Sequence, residues 1–460
     1  MRPDVNVINN KRWFSKTTSP NRLFVLSFAG VIFTGGVLLW LSFSAAKGPI
    51  RFVDALFTST SAVCVTGLVV LDTGKDYSFV GQIITMFLIQ VGGLGIITFS
   101  TVFFMMMGRS ISFKGREIVQ STFLHTPRRD FMVVAKAVLL FTAITELGGA
   151  LFLFARFSQD FPFQQAAFQS LYHAVSAFNN AGFSLFTDNL IGYQGDPIVN
   201  LAIMGLIVHG GIGFIVQYEV LSYLRGVQRR LSVHTKIVLI TTAILIVSGA
   251  LLFYLFERNH VLKDVPVLTK ILASLFQSVT PRTAGFNTVD YGVLTNATIL
   301  LTIVLMLIGA SPGSTGGGVK TTSAALLIML MWSRLKGSLD VSLFNRSIPR
   351  EIISRTISII FASAFSVAII TSFLLIIDPG NVAPVESRRF FVEYLFETVS
   401  AFGTVGLSMG ITANLTDAQK YAIIFMMFAG RVGPLTLAFS LSREAGKKPL
   451  VYAEEGVMVG

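Results

Sequence analysis

The sequence predicts an all-α polytopic membrane protein with four pseudo-repeats, each a full span, a short re-entrant pore helix and a second span, around a central pore. Mean hydropathy is +0.70 and 13% of residues are charged, whereas soluble domains carry about 25%. Apolar stretches long enough to cross a bilayer alternate with stretches of about half that length. One glycine segment follows each half-length stretch, which sets the number of units at four.

The boundaries of the four units follow from this alternation. The predicted units cover residues 1–109, 110–224, 225–334 with a broken second span, and 335–460 with a cytosolic tail. Their paired full spans lie near 23–45 and 80–107, 131–155 and 199–224, 237–256 and 298–333, and 357–377 and 420–441. Eight crossings place both termini on the same side of the membrane.

The charge distribution orients these units. The net charge is +12, and the basic residues cluster in the polar segments that one side of the membrane would share. That asymmetry is typical of cytoplasmic loops, so we expect both termini to be cytoplasmic and no nucleic-acid partner. The single cysteine, Cys64, excludes an intrachain disulfide. The basic clusters are Arg2 to Arg22, Arg109 to Arg129, Arg225 to Lys236, Arg334 to Arg355, and Arg443 to Lys448.

Each half-length helix leads into a small-residue segment centred on one glycine. A re-entrant segment leaves irregular backbone at membrane depth, which is tolerated where it lines a water-filled cavity. Glycine allows positive φ at low cost, and carbonyls aimed at an axis can replace the hydration shell of an ion. The alternative is that these glycines are ordinary helix–helix contacts. The predicted filter carbonyls belong to Val65, Thr66, Gly67, Asn180, Ala181, Gly182, Thr283, Ala284, Gly285, Thr404, Val405 and Gly406.

The second spans are interrupted by glycine, and the third interruption is the most extreme. No helix runs through Pro312 and its neighbouring glycines, so we expect two half-helices joined by a loop at membrane depth. The loop comprises Ser311, Pro312, Gly313, Ser314, Thr315, Gly316, Gly317 and Gly318. A nucleotide-binding P-loop is disfavoured, because Val319 separates Gly318 from Lys320 and no strand precedes the segment.

The motifs SAVCVTGL, SAFNNAGFS, SVTPRTAGFN and SAFGTVGLS, with the Gly-rich break in the third unit and Arg431 in the last span, resemble the Ktr/Trk/HKT potassium transporter superfamily. The Thr404–Ser408 segment is similar to the filter of potassium channels. The chain starts directly with the first unit, which resembles the Ktr-type, ion-translocating membrane subunit. Gly67 stands where relatives that favour sodium tend to carry serine.

The resemblance implies potassium uptake across the plasma membrane. It implies a homodimer in which each chain has its own pore, seated on a cytosolic ring of nucleotide-binding (RCK-type) regulatory subunits. Potassium is the transported ion, sodium is a candidate activator, and no cofactor is expected on this chain. The loop 311–318 and Arg431 are expected to form a gate below the filter. The alternatives are a packing kink for the loop and a structural tie for Arg431.

Several charged residues lie in or near apolar stretches. Arg282 is expected to brace the filter from behind, with Glu397 as its partner. Asp54 and Glu393, like Gln169, stand 13 residues before a filter glycine. They either cap helix N-termini or form an outer ring that attracts cations. Glu146 is expected to pair with a polar group inside the helix bundle, with a proton relay as the alternative.

Two other classes of protein are alternatives to a potassium uptake protein. A sodium- or proton-coupled secondary transporter would also use helices broken at membrane depth. A membrane-embedded enzyme would need a catalytic or metal-binding set. The five histidines have no metal-ligand spacing, and no Ser/His/Asp set or H-E-x-x-H motif is present. An enzyme is therefore not expected.

Overall fold

The computed structural model describes residues 20–95, 131–338, 340–377 and 384–441. This part of the chain contains fifteen α-helices and one two-stranded hairpin, which confirms the all-α class. The basic clusters before residue 20, from 109 to 129 and after residue 441 lie outside the described residues, as does the predicted cytosolic tail. The unit boundaries and the equivalence of the four units stay predictions.

The first unit contains α1 (Pro20–Trp40), α2 (Phe52–Val63) and α3 (Phe79–Leu94). The second unit contains α4 (Phe131–Phe157), α5 (Phe163–Phe178), α6 (Pro197–Gly211) and α7 (Phe214–Leu224). The last two, α6 and α7, form one bent pair with an angle of 101° between them. The short helices α2 and α5 correspond to the predicted re-entrant helices.

The third unit contains α8 (Val233–Glu257), α9 (Val267–Val279), α10 (Asn296–Leu307) and α11 (Thr321–Leu335). A hairpin of β1 (Ser342–Leu343) and β2 (Arg346–Ser347) follows, with Ser342 opposite Ser347. The fourth unit contains α12 (Arg350–Ile377), α13 (Pro384–Gly403), α14 (Asp417–Val432) and α15 (Pro434–Leu441). As predicted, residues 308–320 separate two half-helices, α10 and α11.

Three helices of the described chain are long and apolar enough to cross a membrane. They are Lys136–Phe157 of α4, Val233–Glu257 and Arg350–Ile377, and the bent pair α6–α7 would be a fourth crossing. Shorter apolar helices lie in three of the remaining predicted spans, at Phe24–Trp40, at Phe79–Leu94, and at Asn296–Leu307 with Thr321–Leu335. The eight crossings therefore stay a prediction.

Glycine ends the first half of three second spans in the same way. Gly95, Gly213 and Gly433 have φ values of 78°, 91° and 91°, a conformation that helical residues do not adopt and that glycine allows. Each of the three follows the last residues of α3, α6 or α14. The second half-helices α7 and α15 start immediately after Gly213 and Gly433, and the residues that follow Gly95 lie outside the described part of the chain.

The short helix α2 carries a run of four hydroxyl side chains, yet it is buried. Thr58, Ser59, Thr60 and Ser61 of α2 are all fully buried. Their hydroxyls are satisfied locally: Thr58 and Thr60 donate to the carbonyls four residues earlier, at 2.9 and 2.8 Å. Ser59 donates to the carbonyl of Ile32 in α1 at 2.7 Å. Because its polar groups are paired, α2 can be buried between the spans.

Candidate functional site

The four glycine segments share an unusual backbone conformation. The glycines Gly67, Gly182, Gly285 and Gly406 have positive φ, between 70° and 96°. The residue two positions earlier is also left-handed in every segment, and the residue between them is not. Alternation of the two hands turns successive amide groups to one side and successive carbonyls to the other. The left-handed earlier residues are Val65 (50°), Asn180 (56°), Thr283 (70°) and Thr404 (50°).

The amide groups of these segments point back toward their own helices. The N–H of Thr66 donates to the carbonyl of Ser61 at 2.8 Å, and the N–H of Gly67 donates to the Ser61 hydroxyl at 3.0 Å. The fourth segment repeats both bonds from Val405 and Gly406 to Ser400. Within the described residues, none of the twelve predicted filter carbonyls accepts a hydrogen bond from the protein. These carbonyls are therefore free to coordinate an ion.

The four glycines form a closed ring in chain order. A methyl group built on Gly67 would lie 2.5 Å from the carbonyl oxygen of Ala181. A methyl on Gly182 would lie 2.8 Å from that of Ala284, and one on Gly285 would lie 2.5 Å from that of Val405. A methyl on Gly406 would meet the carbonyl oxygen of Thr66, which closes the ring. The structure thus brings the four predicted segments together around one axis.

The short helices direct their C-termini at this ring. Cys64 and Asn179 are the C-caps of α2 and α5, and α13 ends at Gly403, each three residues before its ring glycine. In the third unit α9 ends slightly earlier, with Thr280 as its C-cap. The C-terminus of a helix carries a partial negative charge. Four such ends around one axis favour a cation at its centre.

The loop 311–318 lies in the break of the bent pair α6–α7. The N–H of Ser311 donates to the carbonyl of Gly211 at 3.0 Å, and the N–H of Phe214 donates to the carbonyl of Gly313 at 3.0 Å. The two arms of the loop also pair with each other, because the N–H of Gly309 donates to the carbonyl of Val319 at 2.8 Å. The loop is therefore a defined structure with paired backbone groups.

The loop also contacts the inner end of the ring, on the side where the short helices arrive. The N–H of Gly317 donates to Oγ1 of Thr404 at 3.0 Å. A methyl on Gly316 would lie 3.0 Å from Cβ of Thr283. The N–H of Gly318 donates to the carbonyl of Gly430 in α14 at 3.3 Å. All eight predicted loop residues thus belong to one segment that lies against this end of the ring.

Two cationic side chains hold the loop carbonyls. Arg431 donates to the carbonyl of Thr315 through Nη1 and to the carbonyl of Gly92 through Nη2, with the carbonyl of Gly93 at 3.4 Å from Nη2. The expected contact between Arg431 and the loop is therefore present. Lys320 was not predicted in this role: its Nζ donates to the carbonyls of Gly316 and Gly317 at 2.8 and 3.3 Å. The sequence did contain a signal for such a role, because Lys320 is a charged residue inside a predicted membrane span.

The prediction that Glu397 is the partner of Arg282 is wrong. Arg282 is 6% exposed, and its Nη2 donates to Oγ1 of Thr242 in α8 at 3.2 Å. Glu397 instead accepts hydrogen bonds from Ser408 at 2.9 Å and from Thr412. Ser408 and Thr412 lie two and six residues after the ring glycine Gly406, and their hydroxyls supply the donors that the guanidinium was expected to supply. Glu397 therefore supports the outer exit of the fourth segment.

The acids near the outer helix ends are neutralised by partners. Asp54 forms a buried ion pair with Lys420 of α14 at 2.7 Å, which the sequence did not reveal. Glu393 pairs with Arg389 one turn earlier, at 2.6 Å. Because Asp54 and Glu393 are both paired with cationic side chains, they do not form the alternative outer ring of free carboxylates. Glu146 accepts a hydrogen bond from Asn179 at 2.9 Å, which is the expected polar partner inside the bundle.

The fold and this arrangement define a helical, polytopic membrane protein. The sequence matches the family described as TrkH, cation transport protein, over residues 9–447. The chain belongs to this family, and its Ktr-type character is confirmed by the relatives below. A cation transport family also confirms that the protein is not an enzyme.

Three curated relatives are similar over almost their whole length. "Ktr system potassium uptake protein B" of Bacillus subtilis is 41% identical, with 92% of this chain and 93% of that protein covered. The protein of the same name in Vibrio alginolyticus is 38% identical, with 99% and 98% covered. "Potassium/sodium uptake protein NtpJ" of Enterococcus hirae is 37% identical, with 98% and 99% covered.

A solved structure shares the fold. The crystal structure of the potassium transporter TrkH from Vibrio parahaemolyticus matches with a TM-score of 0.72, and 93% of this chain and 86% of that chain are covered. The sequence identity is 18%, so this likeness supports the fold alone.

Proposed function

We propose that this chain takes up potassium through a channel-like pore whose filter is the ring of twelve backbone carbonyls from residues 65–67, 180–182, 283–285 and 404–406. The observation that carries the proposal is the closed ring of glycines, each of which abuts the carbonyl of the next segment. Relatives named as potassium uptake proteins support potassium as the ion. Gly67 leaves the first segment free of a side chain at the position where serine is associated with sodium.

The membrane potential is a sufficient driving force for this uptake. One positive charge that moves inward gains roughly 2.3 kcal/mol per 100 mV, which corresponds to about 50-fold accumulation. The chain then needs no cofactor and no chemical energy source of its own. The uncompensated C-termini of the four short helices would stabilise the ion at the centre of the ring.

In this proposal the loop 311–318 is a gate. It lies against the inner end of the ring, and Arg431 ties it to α3 through the carbonyls of Thr315 and Gly92. A guanidinium at the path opposes the passage of a cation as well as fixing the loop. Opening would require the loop to leave Thr404 and Arg431 together.

The same family supplies the proposed assembly. The protein would be a homodimer in the plasma membrane, with both termini cytoplasmic and each chain with its own pore. A cytosolic ring of RCK-type, nucleotide-binding regulatory subunits would control the gate through the basic cytoplasmic segments. The name "Ktr system" of two relatives supports such a separate partner.

A sodium- or proton-coupled secondary transporter is the second candidate. The name of the Enterococcus hirae relative, potassium/sodium uptake protein, is the observation that favours a role for sodium. Sodium could act as an activator or as a coupled ion, and helices broken at membrane depth occur in both classes. The two candidates differ in whether potassium uptake requires a second ion to move with it.

Uptake into a host strain that lacks its own potassium transporters tests both candidates. We expect this chain, together with its cytosolic partner, to restore potassium uptake that follows the membrane potential. External sodium is then varied while labelled potassium and sodium are both counted. Stimulation without stoichiometric sodium entry supports the channel-like mechanism, and a fixed ratio of the two ions supports coupled transport.

A further inference from the structure

Three of the four residues at the inner end of the ring are β-branched and left-handed. Val65, Thr283 and Thr404 have φ values of 50°, 70° and 50°. This conformation is unfavourable for β-branched residues and persists only where surrounding contacts hold it. Asn180, the fourth, is of a type that tolerates positive φ. The contacts around the three β-branched residues therefore determine the geometry of the lowest carbonyls.

The loop supplies these contacts at two of the three positions. At Thr404 it contributes a buried hydrogen bond, from the N–H of Gly317 to Oγ1. A methyl on Gly317 would also lie 2.8 Å from Cγ2 of Thr404. At Thr283 the loop contributes packing, since a methyl on Gly316 would lie 3.0 Å from Cβ of Thr283. In the described chain, no hydrogen bond joins the loop to Val65, and Val65 is not among the nearest neighbours of a methyl built on any loop glycine.

Thr283 extends this contact to the second unit. Its hydroxyl donates to the side-chain oxygen of Asn180 at 3.1 Å in the amide orientation that satisfies all partners. The amide nitrogen of Asn180 then donates to the carbonyls of Ala177 and Ile207, at 3.2 and 3.1 Å. The loop therefore contacts, directly or through one side chain, three of the four inner-end residues.

We propose that the loop sets the geometry of the lowest carbonyl layer, and that Thr404 is the positioning residue that couples gate to filter. This inference rests on the proposed filter and gate. When the loop withdraws, Thr404 loses its donor and Thr283 loses its packing, so the backbone relaxes at two of four positions. The innermost potassium site then binds less tightly. Gate opening thereby promotes release of the ion to the inside as well as removing the obstruction.

A double-mutant cycle tests the coupling. Thr404→Val keeps the shape and the β-branch but removes the acceptor, and the chain already carries valine at the same left-handed position, Val65. We expect Thr404→Val to raise potassium flux into liposomes about fivefold, the effect of one buried hydrogen bond. We also expect a higher half-saturating potassium concentration. Thr404→Ser keeps the hydroxyl, so it should change both quantities less than Thr404→Val does.

The second arm of the cycle is a loop-shortened protein that lacks residues 314–317. In that protein the donor is absent, so Thr404→Val should change neither flux nor half-saturation further. Thr356→Val in α12 is the control, because it removes a buried hydroxyl that donates to the carbonyl of Ile352 at 2.8 Å, outside the ring and the loop. It should leave both quantities at their wild-type values. If Thr404→Val fails to fold, Thr404→Ala removes the same acceptor and is measured instead.

Three outcomes would overturn the proposal: Thr404→Val equal to wild type in both quantities, effects of Thr404→Val and loop shortening that simply multiply, or a Thr356→Val protein that changes as Thr404→Val does. Gly67→Ser in the same assay separates this failure from that of the proposed function. Lowered potassium preference in Gly67→Ser with a multiplicative cycle defeats the coupling alone. Unchanged preference in Gly67→Ser defeats the filter itself.

Discussion

At Gly67 two constraints act on one residue. Its φ of 96° disfavours any side chain, and the space where a side chain would go is taken by the Ala181 carbonyl. We expect Gly67→Ser to lower the preference for potassium over sodium by about tenfold, because one of four carbonyl positions shifts and about 1.4 kcal/mol of discrimination is lost. Competitive uptake of the two labelled ions measures this preference.

Gly410 provides the matched control for Gly67. It has a similar φ of 93°, but no atom lies within 4 Å of a methyl built there. Gly410→Ser therefore imposes the same backbone strain outside the ring, and the ion preference should stay unchanged. Equal loss of preference in both variants would trace the effect to strain, and unchanged preference in Gly67→Ser would remove Gly67 from the filter.

Arg431 is the second residue at which a single substitution is informative. Arg431→Ala removes the donors that reach the carbonyls of Thr315 and Gly92, so the loop should be held less firmly and potassium flux into liposomes should rise. Arg431→Lys keeps the charge but not the fork that reaches two carbonyls at once, and an intermediate flux is expected. A flux in Arg431→Ala no higher than in wild type would show that this residue is only a structural tie.

At the scale of elements, the loop between α10 and α11 is the one that departs most from regular structure. Removal of residues 314–317 takes away the contacts with Thr404, Thr283 and Arg431 together. We expect faster potassium flux and weaker control by the cytosolic partner, while the preference for potassium over sodium stays largely intact because the outer carbonyls are untouched. A folded, loop-shortened protein that conducts no faster than wild type would place the gate elsewhere.

The helices and the loop were predictable from the sequence where a local feature of the sequence determines them. The length of an apolar stretch fixes whether it can span, and Pro312 with its glycines forbids a helix, so α2, α5, α9 and the broken third span followed directly. The partners of charged side chains were not predictable in the same way. Arg282 was assigned to Glu397, but each of them bonds to a different set of hydroxyls. Periodicity carries no information on such tertiary hydrogen bonds.

At the scale of the whole molecule, the first and last units must meet for the ring to close. Asp54 of α2 and Lys420 of α14, 366 positions apart, form a buried ion pair at this junction, with side chains 10% and 8% exposed. No sequence pattern links residues so far apart. The long-range pairing therefore appeared only in the structure, although the ring that it closes was predictable from the four glycines.

Loss of one partner of this pair should destabilise the closed ring. Lys420→Met leaves Asp54 buried without compensation, which costs about 3–5 kcal/mol. The neighbouring pair of Arg51 and Asp417 joins the same two helices but is 60% and 49% exposed, so Arg51→Ala should cost at most about 1 kcal/mol. Thermal unfolding in mild detergent compares the two. Equal losses in the two variants would argue that the buried pair has no special role in ring closure.

Most of the proposals above depend on the four segments binding a cation on their common axis. Anomalous scattering from crystals grown with rubidium or thallium in place of potassium locates the ion directly. Density is expected on the axis of the ring, within reach of the carbonyls of Thr66, Ala181, Ala284 and Val405. Excess potassium in the crystal should displace the heavier ion from this position, and excess sodium should not. A well-ordered ring with no ion on its axis, and the ion bound elsewhere in the chain, would contradict the account.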